Sequence, residues 1–437
     1  MDIGISTPKI LLPKTNVDYE KWAVIACDQF TSEPEYWRQV EEIVDDAPST
    51  YHIILPEVYL GTSEEENRIK TTQDVMAKYL KSGLFRQIND FIYVLRTTNG
   101  KTRRGLMVCL DLEHYDYHEG SQTLIRATEG TILDRLPPRI RIRESAHLEC
   151  PHILVLFDDP NDTVFGPLDE QLMAFEEVYN FDLMLGSGHL RGLTLKDEDC
   201  KQHIAQALGD LIDPDTFAEK YNLKPGASKP LLFAMGDGNH SLATAKAIWE
   251  KLKPSVGLNH PARYALVEIE NIHDPALTFE PIHRLLFDIE KNLREEMKAF
   301  WQEKLNIREM DSIEAMKDIV DAADEPWHQI GMVSSDGIKL IEVRKPIDNL
   351  VVGSLQRFLD HFLADNSAGK IDYVHGTDVL FEKGQFPGNA GFYLPGIDKS
   401  ELFKTVILDG ALPRKTFSMG EAKEKRFYVE CRRITLP

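Results

Sequence analysis

The sequence predicts a mixed protein, α/β with α+β character, and three observations point there. Apolar runs of strand length alternate with segments of helical periodicity. At 437 residues the chain is too long for one compact core, so two or three lobes are expected. One stretch, Leu231 to Lys246, reads as a buried strand, a polar turn and a helix in direct succession.

In chain order, Trp22 to Ala26 and His52 to Leu55 read as strands around a helix at Glu35 to Val44. Phe91 to Arg96 and Leu106 to Leu112 read as an antiparallel pair joined at Asn99-Gly100, a dipeptide that favours positive φ. His152 to Phe157 and Tyr264 to Ile269 are further apolar strands. Ile330 to Val333 and Ile338 to Val343 read as a hairpin across Ser335-Asp336-Gly337. Helices are expected over Asp288 to Lys304, Ser312 to Ala323 and Val351 to Leu363. The segment from Asp288 to Ala364 is therefore read as a mostly helical insertion or lid. The expected lobes are 1–120, 121–286 and 287–437.

Composition narrows the function. Hydrophobic residues make 42% and charged residues 28% of the chain, the balance of a soluble globular protein. A formal net charge of −21 opposes nucleic acid and anionic membrane as partners and leaves a small-molecule substrate. The five cysteines form no C-x-x-C pair, which disfavours a thiolate metal site and fits a reducing cytoplasm. No signal-peptide pattern and no 18-residue apolar span is visible. A cytoplasmic location is expected.

The densest chemistry lies at Gly236-Asp237-Gly238-Asn239-His240-Ser241. Leu231 to Met235 precedes it as a strand buried on both faces. Leu242, Ala245, Trp249 and Leu252 follow at helical spacing. Gly236 and Gly238 permit positive φ and close approach of a ligand, and Asn239 or Ser241 is expected to cap the helix. Backbone N–H groups and the helix dipole make such a junction an anion site. Building the turn requires neither Asp237 nor His240; alternatively, Asp237 closes an Asx-turn and His240 is a satisfied half-buried histidine.

Other stretches offer chemistry. Leu124 to Arg135 carries Glu129 between hydroxyls and two guanidinium groups, Arg126 and Arg135. A carboxylate there suits a general base, and arginines bind phosphate in bidentate fashion; a plain capped helix start explains the pattern equally. Arg139, Arg141 and Arg143 alternate with apolar residues and line either an anionic pocket or a solvated face. Gly186 to Gly192 and Leu412 to Gly420 are loops rich in glycine and cations, and Pro281-Ile282-His283-Arg284-Leu285 reads as structural. No G-x-x-x-x-G-K-[ST] loop and no G-x-S-x-G elbow occurs, and Gly236-x-Gly238-x-x-Ser241 departs from the dinucleotide fingerprint.

These motifs together resemble a known family. Asp237-Gly238-Asn239-His240-Ser241, with Ala243, resembles the D-G-H-H-R-x-x-A motif of the domain of unknown function 1015 family. Thr128-Glu129-Gly130-Thr131 and Asp134-Arg135 resemble its H-E-x-T and D-R elements. Pro281 to Leu285 resembles its P-T-H-R-L, and Gly410 to Thr416 its G-x-x-P-x-K-S/T. More remotely, that family resembles the ParB-like and sulfiredoxin-like superfamily, which includes kinases of free L-serine. The resemblance implies a ParB/sulfiredoxin-like core over 121–286 with additional α/β lobes. It implies phosphoryl transfer from ATP, ADP or pyrophosphate to a small hydroxylated metabolite such as free serine. Glu129 takes the base position, Asp237 holds Mg²⁺ or orients the phosphate, and His240 contacts the transferring group. Arg126, Thr131, Arg135, Gly236, Gly238, Asn239 and Ser241 are the expected phosphate and substrate contacts. The motif's arginine is replaced by Ser241 and its first histidine by Asn239, so the phosphate charge must be met from elsewhere. The alternative is a non-catalytic regulator binding a nucleotide or phosphorylated metabolite at the same junction.

Overall fold

A computed structural model of the chain describes residues 2–31, 33–130, 136–224, 226–322, 325–364 and 368–436. They form two units: Met1–Thr278 with Gly420–Pro437, and Phe279–Met419. The fold class is mixed α/β, as expected.

The first unit is built on a ten-stranded sheet. Its path runs through strands Glu176–Asp182, His189–Leu195, Phe91–Thr98, Lys101–Asp111, Tyr264–Asn271, Leu154–Phe157, Phe233–Asp237, Ile125–Arg126 and Tyr115–Asp116, with Ile5–Ser6 attached to Lys101–Asp111. Successive side chains leave a strand on opposite faces. Tyr93, Leu106, Val108 and Leu110 accordingly enter one core with Ile204 and Leu208 of helix Glu198–Asp210 and Leu242, Ala245 and Trp249 of helix Asn239–Val256. Ile92, Val94, Met107 and Cys109 enter the other core with Trp37 and Val40 of helix Pro34–Val44 and Met76 and Tyr79 of helix Glu65–Lys81. Burial on both faces explains the continuous apolar runs. The expected lobe boundary near 120 falls within this unit, whose sheet takes strands from both sides of it.

The hairpin at Asn99-Gly100 forms as read. Thr98 pairs with Lys101, and both loop residues are left-handed, with φ of 53° and 75°. Two expectations in the first hundred residues are corrected. Trp22 to Ala26 begins as a helical turn, Tyr19–Trp22, capped by Asp18, and only Val24–Ile25 is strand. His52 to Leu55 is no strand: Thr50–Ile53 is a 3₁₀ turn capped by Ser49, and Thr50 Oγ1 donates to the Trp22 carbonyl at 2.8 Å. Local hydroxyl bonds there outcompete the apolar run's preference for a ladder.

The second unit holds a seven-stranded sheet that includes Leu305–Met310, Gly337–Val343, His328–Ser334, Ala390–Tyr393, Phe279–Phe287 and Lys370–His375. The 330–343 hairpin forms, with Ser334 opposite Gly337. The three helices expected between 288 and 364 shorten or extend to Leu293–Trp301, Ile313–Ala322 and Val351–Ala364. Three strands lie among them, so this segment is not a mostly helical insertion. Leu286, Ile330, Met332 and Ile341 of the sheet pack against Met297, Leu355, Phe358 and Phe362 of two of these helices, which makes the segment part of the unit's own core. The expected boundary at 286 falls inside strand Phe279–Phe287.

The Pro281 to Leu285 motif is structural. Arg284 is fully buried and its guanidinium donates to the carbonyls of Ile282, Arg414 and Lys415. It therefore clasps the late Leu412 to Gly420 motif. His283 Nδ1 accepts the Leu394 N–H at 3.2 Å, and burial lowers its pKa to about 4.

Candidate active site

Parallel pairing joins the two halves of the predicted site. Ile125 lies opposite Phe233 and Arg126 opposite Ala234. Two residues on, Thr128 Oγ1 donates to the Met235 carbonyl at 2.8 Å, which holds Thr128 against the carboxyl half of strand Phe233–Asp237. Glu129 follows three residues past strand Ile125–Arg126, and Asp237 is the last residue of its neighbour, at the carboxyl ends where open α/β sheets bind ligands. About a hundred residues of chain separate the two strand ends in sequence, and parallel pairing sets the strands side by side.

Gly238 makes the turn into the helix. It is the N-cap, with φ 78° and ψ 26°, and a Cβ there would sit 3.1 Å from the Ile153 Cα. Both the left-handed backbone and the close approach require glycine. The expectation that Asn239 or Ser241 caps the helix is corrected: no side chain caps this end. Asn239 is already helical, and its Oδ1 is buried with no hydrogen-bond partner among the described residues. Ser241 Oγ lies 3.3 Å from His152 Nε2. A helix leaves its first N–H groups without intrahelical acceptors and carries partial positive charge there. An 18-residue helix, Asn239–Val256, thus presents an uncapped end beside Asp237. Gly236 is the penultimate residue of the strand, and His240 lies half-buried in the first turn, its carbonyl accepting the Thr244 hydroxyl at 2.7 Å.

Asp237 is engaged through both carboxylate oxygens. Oδ1 accepts the Gly238 N–H at 2.8 Å, and Oδ2 meets Lys425 Nζ at 3.1 Å. Burial pushes its pKa up, but Lys425, then His152, then these hydrogen bonds hold it below the ordinary carboxylate value. Asp237 is a carboxylate at neutral pH.

Lys425, His152 and Tyr428 were not legible as site residues. The Tyr428 hydroxyl accepts the Cys27 N–H at 3.0 Å and lies 2.8 Å from His152 Nδ1. Burial raises the tyrosine pKa far above its usual value, so the phenol keeps its proton. His152 Nε2 faces Ser241 Oγ at 3.3 Å, so the imidazole links the buried Tyr428 hydroxyl to the first turn of the helix. The turn thus gathers the Lys425 ammonium, the Ser241 hydroxyl and the helix N–H groups.

Arg126 is not among those donors. It is 2% exposed, and its guanidinium donates to the carbonyls of Thr123 at 2.8 Å and Lys229 at 2.7 Å. Desolvation lowers its pKa to about 10. It pins strand Ile125–Arg126 to the segment entering the next strand. Thr131 and Arg135 lie outside the described residues. Arg139, Arg141 and Arg143 sit on helix Leu136–Arg143 and pair with Glu57, Glu65 and Glu149. The Gly186 to Gly192 loop is a hairpin bend, in which His189 bridges Asp182 and Asn180 at 2.6 Å each.

The donor set does not fit Mg²⁺ at Asp237. A divalent ion there would face the Lys425 ammonium on the same oxygen. No group of three or more His, Cys, Asp or Glu side chains is gathered for a metal among the described residues.

Below the turn lies a buried ion network. Leu154 pairs with both Asp237 and Glu268, which places Glu268 two strands from Asp237 at the same level. Arg426 bridges Glu268 at 2.7 Å and Glu430 at 2.6 Å, and Tyr179 donates to Glu430 at 2.5 Å. Adjacent residues of one segment, Lys425 and Arg426, therefore neutralise two carboxylates of one sheet.

Residues 11–362 match the model of a family described as protein of unknown function, DUF1015. The chain belongs to the DUF1015 family. No curated protein matches it. Among solved structures, a free serine kinase mutant in complex with ADP is similar at 10% identity and a TM-score of 0.40, over 78% of this chain and 95% of the kinase chain. A second mutant of free serine kinase, in complex with AMP, gives 11% and 0.39, over 78% and 95%. A conserved hypothetical protein from Pyrococcus furiosus gives 10% and 0.35, over 72% and 90%. No helix among the described residues is long and apolar enough to cross a membrane.

Proposed function

We propose that this DUF1015 protein is a small-molecule phosphotransferase that moves a phosphoryl group from a nucleotide or pyrophosphate to a hydroxyl. One observation carries the reading: Glu129 and the uncapped helix after Asp237 stand at the ends of adjacent parallel strands, tied by the Thr128–Met235 bond. Phosphoryl transfer needs mainly positioning and charge neutralisation, with a carboxylate to accept the hydroxyl proton. Glu129 is the base. The first-turn N–H groups of the helix, His240, Asn239 and the Ser241 hydroxyl hold the transferring phosphate, and Gly236 and Gly238 let it approach the backbone. The acceptor oxygen attacks the phosphorus as its proton passes to Glu129. The bond to the donor's leaving oxygen breaks, and the shortened donor departs. ATP, ADP and pyrophosphate are the donors of suitable chemistry, and free serine is the first acceptor to test.

The rival reading is a sensor that binds the same phosphates without turnover. Saturation of Asp237 by Lys425 and Gly238 favours it, because that carboxylate is then not open to a metal. Incubating the protein with each donor and serine or a panel of hydroxylated metabolites, with and without Mg²⁺, and assaying phosphorylated product by mass spectrometry separates the two. Glu129→Gln should lower turnover about 10²- to 10⁴-fold while donor binding holds. Absence of product with every donor and acceptor leaves the sensor.

A further inference from the structure

We infer that Lys425 supplies the cation of the phosphate site, and that phosphate binding there does not depend on Mg²⁺. The inference rests on the phosphate site proposed above and names its missing charge.

Residues Gly236 to Ser241 at the helix N-terminus include no lysine or arginine. A buried phosphate left to helix N–H groups and hydroxyls alone keeps its charge poorly compensated. Arg126 is fixed in the core by the carbonyls that its Nε and Nη2 engage, with Nη1 buried and no hydrogen-bond partner among the described residues. Lys425 lies 188 residues beyond Asp237 in sequence and reaches its carboxylate from the opposite side of the chain. Its side chain is only 12% exposed. The segment that delivers it is fastened on each side: Arg96 donates to the Lys423 carbonyl at 3.0 Å, Asn99 to Glu424 at 3.1 Å, and Arg426 to Glu268. Such fixing exceeds what a surface lysine needs, and it sets one ammonium beside the uncapped helix end.

An ammonium has three donors, and the carboxylate engages one. Asp237 acts as a positioning residue: it holds Lys425 at the turn and keeps the site neutral while no anion is bound. An arriving phosphate competes with Asp237 for the same ammonium. The carboxylate is then an electrostatic obstacle to the ligand as well as a guide for the lysine. Under a metal-bridging arrangement its effect would be opposite, because Asp237 would be needed to hold the ion.

Isothermal titration of the full chain with pyrophosphate, in EDTA and then in Mg²⁺, tests this. Wild type should bind in EDTA. Lys425→Met should weaken binding at least tenfold and Lys425→Arg should restore it to within about threefold, as retention of positive charge requires. Asp237→Asn should bind pyrophosphate in EDTA as tightly as wild type or more tightly. The double variant Asp237→Asn/Lys425→Met leaves no orphaned charge, and should bind as weakly as Lys425→Met, which covers the case in which the single variant fails to fold. Undiminished binding by folded Lys425→Met or by the double variant overturns the inference, as does wild-type binding that requires Mg²⁺ or is lost in Asp237→Asn. If wild type binds pyrophosphate under neither condition, the phosphate site itself is wrong.

Discussion

Gly238 shows how one backbone position shapes the candidate site. Its φ of 78° costs an L-residue about 1–2 kcal/mol, and the contact with Ile153 adds to that because the facing atom is backbone. Gly238→Ala should lower stability by at least about 1 kcal/mol, read from the urea midpoint, and should weaken ligand binding by moving the helix end. An alanine variant with unchanged midpoint and affinity would show that the turn tolerates a Cβ. This requirement was legible, because a glycine between a strand and a helix signals positive φ by itself. The partners of Asp237 were not. Lys425 stands in the charge-rich stretch Glu421 to Arg426, which carries no local motif, and only the tertiary fold brings it to the turn. Arg126 misled in the opposite sense: an arginine beside Glu129 suggests a phosphate ligand, yet three carbonyl acceptors take it into the core.

At the scale of elements, local signals were reliable where the backbone itself needs special residues. Asn99-Gly100 had to turn, and Leu231 to Met235 had to be buried. The His52 to Leu55 run failed because Ser49 and Thr50 offer the backbone competing hydrogen bonds. Strand Leu305–Met310 was hidden because its neighbours in sequence are amphipathic helices. The buried network at Arg426 has no sequence signature at all, although it joins the 420–428 segment to strand Tyr264–Asn271. Removing one partner of a buried ion network costs about 3–5 kcal/mol, because the remaining charges stay desolvated. Arg426→Met should therefore destabilise the protein by that amount at pH 7. Chemical denaturation at pH 7 measures the loss, and an Arg426→Met variant with an unchanged midpoint would show that Glu268 and Glu430 do not depend on this guanidinium.

For the whole molecule, the consequential feature is the return of the chain. After the second unit, Phe279–Met419, the last residues rejoin the first. Strand Cys431–Arg433 pairs on one side with Ile10–Pro13 and on the other with Leu148–Glu149. Phe427–Tyr428 pairs with Val24–Ile25, and the Trp22 indole N–H donates to the Val429 carbonyl at 2.8 Å. Truncation after Met419 would split a four-stranded sheet in its interior and expose the apolar face that Phe427, Tyr428, Val429 and Cys431 cover. It would also orphan the buried carboxylate Glu268 by removing Arg426, and would leave Glu149 with Arg143 as its one remaining guanidinium among the described residues. The first unit should then lose fixed packing, seen as loss of near-UV dichroism and of a cooperative thermal transition, while the second unit, whose sheet ends at Phe417–Met419, keeps its own. Supplying 420–437 as a separate peptide should restore the first unit's transition if pairing alone is missing. A truncated chain that melts as the full chain does would show that these pairings are dispensable, and with them the route by which Lys425 reaches Asp237.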